Sequence, residues 1–428
     1  MSDLNRRDFT KIMGAAGTVA AGASLFANVA YAQGKGKLVV VGGGAGGATV
    51  AHHVKKQAPN LDVTLVEGQK TYTSCFFSNL YLGGYRSFES ITHDYEGLRK
   101  VGVNVVNDWA TDVDAQKKTV TLKGGQTLSY DKLVLSPGID IKYDSIEGYS
   151  PEVAKIMPHA WKAGVQTAIL RRQLLDMPDG GVVVLAAPPN PFRCPPGPYE
   201  RVSMIAHHLK HYKPRSKLLV LDPKPKFSKM ALFQEGWQEH YANIVEWLPP
   251  EMTGGGVKQV VANTMEVVSG DGERIKAAVA NIVPPQRAGE IAHKAGCAKG
   301  DWCPIVPETF ESRLVKHVHV LGDASIAKKM PKSAFSANSQ AKVVVNAVLA
   351  EMTGKKKFPA RFRNTCWSLI STNNGVKVGA SYKAGAESVE VTSQFISKTG
   401  EDADLRQRTY EESIGWYSSI TADVFAKA

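Results

Sequence analysis

The sequence predicts an α/β chain: two domains built on parallel sheets of dinucleotide-binding type, followed by a smaller α+β domain. Three observations predict it. A strand-like run near residue 40 passes through a glycine-rich turn into a helix. A second series of apolar strands starts at residue 181. The character of the chain changes after Gly354-Lys355-Lys356-Lys357. A chain of 428 residues is too long for one hydrophobic core. The expected division is 1–32, 33–147 with 286–355, 148–285, and 356–428.

Residues 1–32 read as an export leader. Asn5-Arg6-Arg7-Asp8-Phe9-Thr10-Lys11 precedes a weakly apolar Gly/Ala run that ends at Ala30-Tyr31-Ala32. A pair of arginines, an apolar stretch and a small-residue cleavage site form a twin-arginine signal, which sends folded proteins to the periplasm. The stretch is short and rich in Gly and Ala, so it makes a poor permanent span. No segment of the mature chain, expected to start near Gln33, looks membrane-spanning.

Lys37 to Val41 reads as a buried strand, Gly42-Gly43-Gly44-Ala45-Gly46-Gly47 as the turn, and Ala48 to Gln57 as a helix. Asp62 to Glu67 reads as a second strand ending in an acid. Strand, GxGxxG, helix, strand, acid is the order of a dinucleotide-binding unit of Rossmann type. Gly42, Gly44 and Gly47 let backbone approach a pyrophosphate, and Glu67 is placed for the adenosine ribose. Lys132 to Gly138 and His317 to Asp323 fit two later elements of a flavin domain. Asp323 is the candidate partner of the ribityl chain. A helix from Ala334 to Leu349 follows Pro331-Lys332-Ser333, and its N-terminus would face the flavin with partial positive charge.

The second domain opens with the strands Gly181–Ala187 and Lys217–Asp222. Between them, where a nicotinamide-binding unit carries glycines, stands Pro188-Pro189-Asn190-Pro191-Phe192-Arg193-Cys194-Pro195-Pro196-Gly197-Pro198-Tyr199-Glu200. Proline offers no N–H to a phosphate and cannot adopt positive φ. The domain is expected to keep its fold without a nicotinamide site, and to carry Cys194 and Glu200 instead. A rigid surface loop with an incidental cysteine is the plainer reading. The C-terminal segment holds Cys366-Trp367, strand-like stretches at Gly375–Tyr382 and Ser388–Thr392, and Trp416-Tyr417. It is expected to be a separate domain packed against the flavin, with a polar tail.

Five cysteines in an exported chain cannot all pair. One is free, joined to another chain, or bonded to something other than cysteine. Cys297 and Cys303 flank Lys299-Gly300-Asp301-Trp302 and are expected to form a short structural loop disulfide. Asp301 alone is too little for a metal site, and no metal is expected. His52, His53, His207, His208 and His211 fall on helical stretches and read as packing or surface residues. No Cys-x-x-Cys-His occurs, so this polypeptide attaches no c-type haem. The net charge of +12 suits an anionic substrate or an acidic protein partner. An export address and a redox cofactor argue against nucleic acid.

Together, Thr73-Ser74-Cys75-Phe76, Arg193-Cys194-Pro195-Pro196 and Asn364-Thr365-Cys366-Trp367 resemble segments of the flavoprotein subunit of flavocytochrome c sulfide dehydrogenase. That family is disulfide-oxidoreductase-like, with a glutathione-reductase-like fold, and is related to sulfide:quinone reductases. The resemblance covers essentially the whole chain. It implies FAD bound covalently through its 8α-methyl to Cys75, which gives the odd sulfur a partner. It implies a redox disulfide between Cys194 and Cys366, with Glu200 as acid/base and Ser333 beside the flavin. Hydrosulfide would attack the disulfide, and the released Cys366 thiolate would deliver two electrons to FAD. The haem c would sit on a separate cytochrome subunit, making the assembly a heterodimer. Trp416 and Tyr417 read either as lining the route to it or as packing aromatics. The alternatives are a sulfide:quinone reductase, an NAD(P)H-dependent disulfide oxidoreductase, and a flavin-carrying binding module.

Overall fold

A computed structural model describes residues 36–427; the expected leader lies outside them. Five parallel strands form the first sheet. The chain enters it with β1 (Lys37–Val41), crosses by helix α1 (Gly47–Gln57) to β2 (Asp62–Val66), and passes through the short helix α2 (Ser78–Gly83). It then adds β3 (Asn104–Val106) and β4 (Lys132–Leu135). β1 and β2 each bury four of five side chains, as strands covered on both faces do.

The second sheet begins with β5 (Val182–Ala186), followed by α3 (Gly197–Tyr212), β6 (Lys217–Leu221), α4 (Met230–Tyr241), β7 (Val245–Leu248) and β8 (Val279–Ile282). The chain then returns to the first sheet as β9 (Val318–Val320) and α5 (Ala334–Thr353). It ends with β10 (Arg361–Ser371), β11 (Asn374–Ala384), β12 (Val389–Ile396) and helix α6 (Ala403–Phe425).

The first sheet has the order β9-β4-β1-β2-β3 and the second β7-β6-β5-β8. Every pairing in both is parallel. Each unit also carries a three-stranded antiparallel sheet, at 110–129 in the first and 257–276 in the second. The two passages between units lie side by side, Ile139–Ile141 antiparallel to Gln286–Ala288. The fold is therefore mixed α/β with two Rossmann-like units, as the sequence predicts; the repeated antiparallel sheets were not foreseen.

The C-terminal segment departs from expectation in two ways. Its polar tail is a 23-residue helix, started by Asp402, whose carboxylate accepts the Leu405 N–H at 2.7 Å. Nor is the segment a separate body. Phe362, Tyr382, Val389, Ile420, Val424 and Phe425 lie in the apolar core of the first sheet. Ile370 and Val376 lie in that of the second. A three-stranded sheet and one helix are too small to bury a core of their own, so they close over both neighbours. Among the described residues, no helix is long and apolar enough to cross a membrane.

Candidate active site

The glycine turn is built as a dinucleotide cradle. Gly42 has φ +102, and a Cβ there would lie 2.3 Å from the Ser136 carbonyl oxygen. A Cβ on Gly47 would lie 2.0 Å from the Gly42 oxygen, so only glycine lets α1 start this close to β1. Gly44 faces the Tyr72 ring, 3.3 Å from a notional Cβ. At the end of β2, one Glu67 oxygen accepts the Gly43 N–H at 2.7 Å, and the other accepts the Gln69 N–H at 3.0 Å. Both Glu67 oxygens thus hold the turn.

Asp323 follows β9. One carboxylate oxygen accepts Arg193 Nε at 2.6 Å; the other is buried with no hydrogen-bond partner. A buried, unpaired acceptor at this point fits a ribityl hydroxyl. Together, this orphan and the glycine cradle fit FAD. Ser333 caps α5 by accepting the Ser336 N–H at 3.0 Å, and its hydroxyl donates to Asn364 Oδ1 at 2.5 Å. That bond ties the helix start to β10, two residues before Cys366.

Cys75 lies in the turn before α2. Its carbonyl accepts the Ser78 hydroxyl at 2.6 Å, and Phe77 takes a left-handed φ of 69°. Phe77 stacks on Tyr417 with ring centroids 4.4 Å apart, and Phe76 meets Trp416 edge-on at 5.8 Å. Arg86 lies over the Phe77 and Tyr417 rings. The two aromatic residues of α6 singled out in the sequence therefore pack on the Cys75 turn.

Cys194 follows the proline run with a left-handed φ of 59°. Its N–H donates to Lys332 O at 2.7 Å, and its carbonyl accepts the Gly197 N–H at 2.8 Å. A Cβ on Gly197 would lie 2.9 Å from the Cys194 sulfur. The thiol therefore sits against the first turn of α3, where the helix dipole favours negative charge. Cys366 is buried in β10, its sulfur 3.3 Å from Asn364 Nδ2.

The fold brings these remote cysteines into one electrostatic neighbourhood. Burial pushes the Cys194 thiol well above its usual range, and Cys366, Glu200 and Cys75 push it further, while Lys229 opposes them. Burial also raises Cys366, against Asn364, Lys229 and Ser333.

Glu200, in the first turn of α3, accepts Asn79 Nδ2 at 2.8 Å and the Leu369 N–H at 3.0 Å. Burial raises its carboxyl above the usual range despite these bonds and the nearby charges of Lys229 and Arg201.

Two charged residues escape a sequence reading. Arg201 is buried and meets only neutral acceptors: Asn79, His159 O, Asn281 and Ala160 O. Lys229 is 5% exposed and donates to Cys366 O at 3.0 Å and Ser368 Oγ at 2.7 Å. Neither shows a motif; a lysine just before a helix reads as exposed. With Arg193, they give the site three cations against the carboxylates of Asp323 and Glu200.

No two of the five cysteines are joined by a disulfide. Cys194 and Cys366 stand as a dithiol. The loop disulfide expected between Cys297 and Cys303 is not formed. Cys303 is fixed in a parallel bridge beside Ser325, while the Cys297 thiol turns to Ala295 O at 3.8 Å. Asp301 pairs with Lys142 at 3.2 Å. His52, His53 and Asp423 come within 4.8 Å of one another. The Asp423 carboxylate is already taken by His53 at 2.7 Å, Asn338 at 2.8 Å and Lys342 at 3.2 Å, so the trio ties helices together.

Fold and site define a flavoprotein of the pyridine nucleotide-disulphide oxidoreductase class, whose family model matches residues 36–168. More narrowly, the chain belongs to the family of sulfide-oxidising flavoproteins that comprises flavocytochrome c sulfide dehydrogenases and sulfide:quinone oxidoreductases. The model "Sulfide dehydrogenase [flavocytochrome c] flavoprotein chain, central" matches residues 167–284. "Flavocytochrome c sulphide dehydrogenase, flavin-binding" matches 359–425. The first span holds Cys194, Glu200 and Lys229; the second holds Cys366 and Trp416.

The mitochondrial sulfide:quinone oxidoreductase of Dictyostelium discoideum is 23% identical over 337 residues, 74% of this chain and 71% of that protein. The flavoprotein chain of flavocytochrome c sulfide dehydrogenase from Chlorobaculum thiosulfatiphilum is 49% identical over 43 residues, 10% of this chain and 90% of that sequence. The crystal structure of sulfide:quinone oxidoreductase from Aquifex aeolicus superposes with a TM-score of 0.65 at 19% identity, covering 92% of this chain and 96% of that one.

Proposed function

We propose that the chain is the flavoprotein subunit of a periplasmic sulfide dehydrogenase, oxidising hydrosulfide at Cys194 and Cys366 and passing electrons to a c-type cytochrome subunit. The observation that carries this reading is the meeting of two cysteines from remote segments with Glu200 and a surplus of buried cations. Bound at the glycine cradle, Asp323 and Ser333, with Cys75 as its covalent 8α-S-cysteinyl anchor, FAD supplies a two-electron acceptor that releases electrons singly.

The rest is the work of this chain's own residues. Arg193, Arg201 and Lys229 draw an anion into a low-dielectric site. Cys194 is half-buried and Cys366 buried, so hydrosulfide meets Cys194 first once the pair is oxidised. Attack there breaks the S–S bond, leaves a persulfide on Cys194 and releases Cys366 as thiolate. Glu200, its carboxyl raised by burial, takes the persulfide proton, and sulfane sulfur leaves as the disulfide re-forms, the two electrons released going to the acceptor that bound FAD would supply. Prolines at 188, 189, 191, 195, 196 and 198 remove the N–H groups that would cradle a nicotinamide dinucleotide, and Glu200 adds a carboxylate there. The twin-arginine leader supports the periplasmic address, and the lack of a haem motif in the sequence calls for the cytochrome partner.

The sulfide:quinone oxidoreductases among the relatives favour a second reading, with quinone as acceptor. One experiment tests both. Sulfide should bleach the flavin of the purified protein, and a Cys194→Ser variant should lose that bleaching. Turnover should require a c-type cytochrome. Turnover with a soluble quinone and none with cytochrome selects the second reading, and bleaching by NADH but not sulfide refutes both. After acid precipitation the colour should remain on a peptide containing Cys75; free FAD in the supernatant refutes the thioether.

A further inference from the structure

Lys229 is a buried lysine without a carboxylate. It stands just before α4 with a left-handed φ of 63°, a conformation that a lysine adopts only where its surroundings hold it. Its ammonium donates to Cys366 O at 3.0 Å, Ser368 Oγ at 2.7 Å and, more weakly, Val376 O at 3.5 Å. All three acceptors are neutral. A buried cation is costly unless something compensates it, and hydrogen bonds to two carbonyls and a hydroxyl do so only in part. The charged groups that feel Lys229 most are Cys366, then Glu200, then Cys194, the three groups assigned to sulfur chemistry above.

We propose that Lys229 is the fixed counter-charge of the Cys366 thiolate, a positioning residue that holds the sulfur pair in a site ready to receive one negative charge. The proposal rests on the reading of Cys194 and Cys366 as a redox pair. When hydrosulfide adds across their S–S bond, the sulfur–sulfur bond breaks and a new one forms to Cys194. The electron pair, and with it the single negative charge brought by hydrosulfide, goes to Cys366. That charge then lies on the strand whose carbonyl and hydroxyl hold the Lys229 ammonium. Glu200 faces the same sulfur from α3, Tyr382 from β11 and Cys194 from the proline loop. Those groups are neutral or acquire negative charge, so Lys229 is the group among them that offsets it. Burial pulls the lysine down to about 8, so the ammonium form prevails at neutral pH and gives way above it.

The test reads the thiol and needs neither sulfide nor an acceptor. The full-length flavoprotein is reduced with dithiothreitol, freed of it without air, and pulsed with iodoacetamide across a pH series; alkylation at Cys366 is counted by peptide mass. In Lys229→Met the midpoint of Cys366 alkylation should rise by about one pH unit, with a roughly tenfold loss of rate at pH 7. In Lys229→Arg, which keeps the charge, the wild-type profile should persist. An unchanged midpoint in Lys229→Met of wild-type flavin content overturns the proposal.

Should Lys229→Met fail to fold, the reciprocal measurement decides. In Cys366→Ser, acylation of Lys229 by acetic anhydride should move to lower pH, because the thiolate that retained its proton is gone; an unmoved profile overturns the proposal as well. Lack of sulfide bleaching in the wild-type protein would refute the redox reading alone, since neither profile depends on it.

Discussion

Glu200 has both oxygens engaged, one by Asn79 and one by the Leu369 N–H, yet burial still lifts its carboxyl. A raised carboxyl holds its proton to higher pH, so a reaction that needs Glu200 as base fails on the acid side above the ordinary carboxylate range. The expected outcome is an acid limb in the pH–rate profile of sulfide-dependent flavin reduction that disappears in Glu200→Gln. The variant should also be slower by about 10²–10⁴-fold at its optimum. An acid limb that survives in Glu200→Gln would assign it to another group. Cys194, Cys366 and Glu200 were legible because proline and cysteine leave marks in a sequence. Lys229 and Arg201 were not, because what distinguishes them is burial beside partners supplied by other elements.

At the scale of elements, the first turn of α1 depends on one missing atom. A Cβ on Gly47 would press within 2.0 Å of the Gly42 oxygen and 3.1 Å of Val40. Val40 is buried in β1 and Gly42 is pinned by its N–H to the Val66 carbonyl at 2.9 Å, so both resist displacement. Gly47→Ala should cost about 1–3 kcal/mol in urea denaturation and lower the flavin content of the purified protein. Unchanged stability and flavin content would mean that the turn is looser than its contacts imply. The strand–turn–helix–strand order was legible here because buried parallel strands and glycine turns are local patterns. The antiparallel sheets at 110–129 and 257–276 were missed, since half-exposed short strands carry little periodic signal. Helix α6 was missed because its polar residues, read along the chain, conceal the few that face inward.

Across the whole molecule, Asp423 near the end of α6 joins three helices: His53 of α1 and Asn338 and Lys342 of α5 all reach its carboxylate. Burial alone would raise this carboxyl, but the hydrogen bonds from His53 and Asn338 hold it well below the usual carboxylate range. A group depressed in the folded state contributes stability above its unfolded value of about 4 and loses it as pH falls through the folded value. Asp423→Asn should therefore be less stable than wild type at pH 7, by about 1–3 kcal/mol, and the gap should narrow on acidification. Chemical denaturation at pH 7 and again in acid checks this; a gap independent of pH would mean that packing, and not charge, makes the lock. The same integration explains why the C-terminal segment has no core of its own. Its apolar residues complete the cores of both nucleotide-type units, which carries Cys366 to the sulfur site and Trp416 to the Cys75 turn.

By itself the sequence determined the α/β class, the dinucleotide turn with its acid, the proline run in place of a second glycine turn, and the five cysteines that needed an explanation. These features are written in neighbouring residues, where periodicity and backbone restrictions act. Tertiary structure alone decided which of the cysteines share a neighbourhood. It left Cys297 and Cys303 without the expected disulfide, and brought Cys194 and Cys366 together across 172 positions of chain. It also placed a buried, carboxylate-free Lys229 beside them. Burial and charge balance arise from contacts between distant segments, and such contacts exist only once the chain has folded.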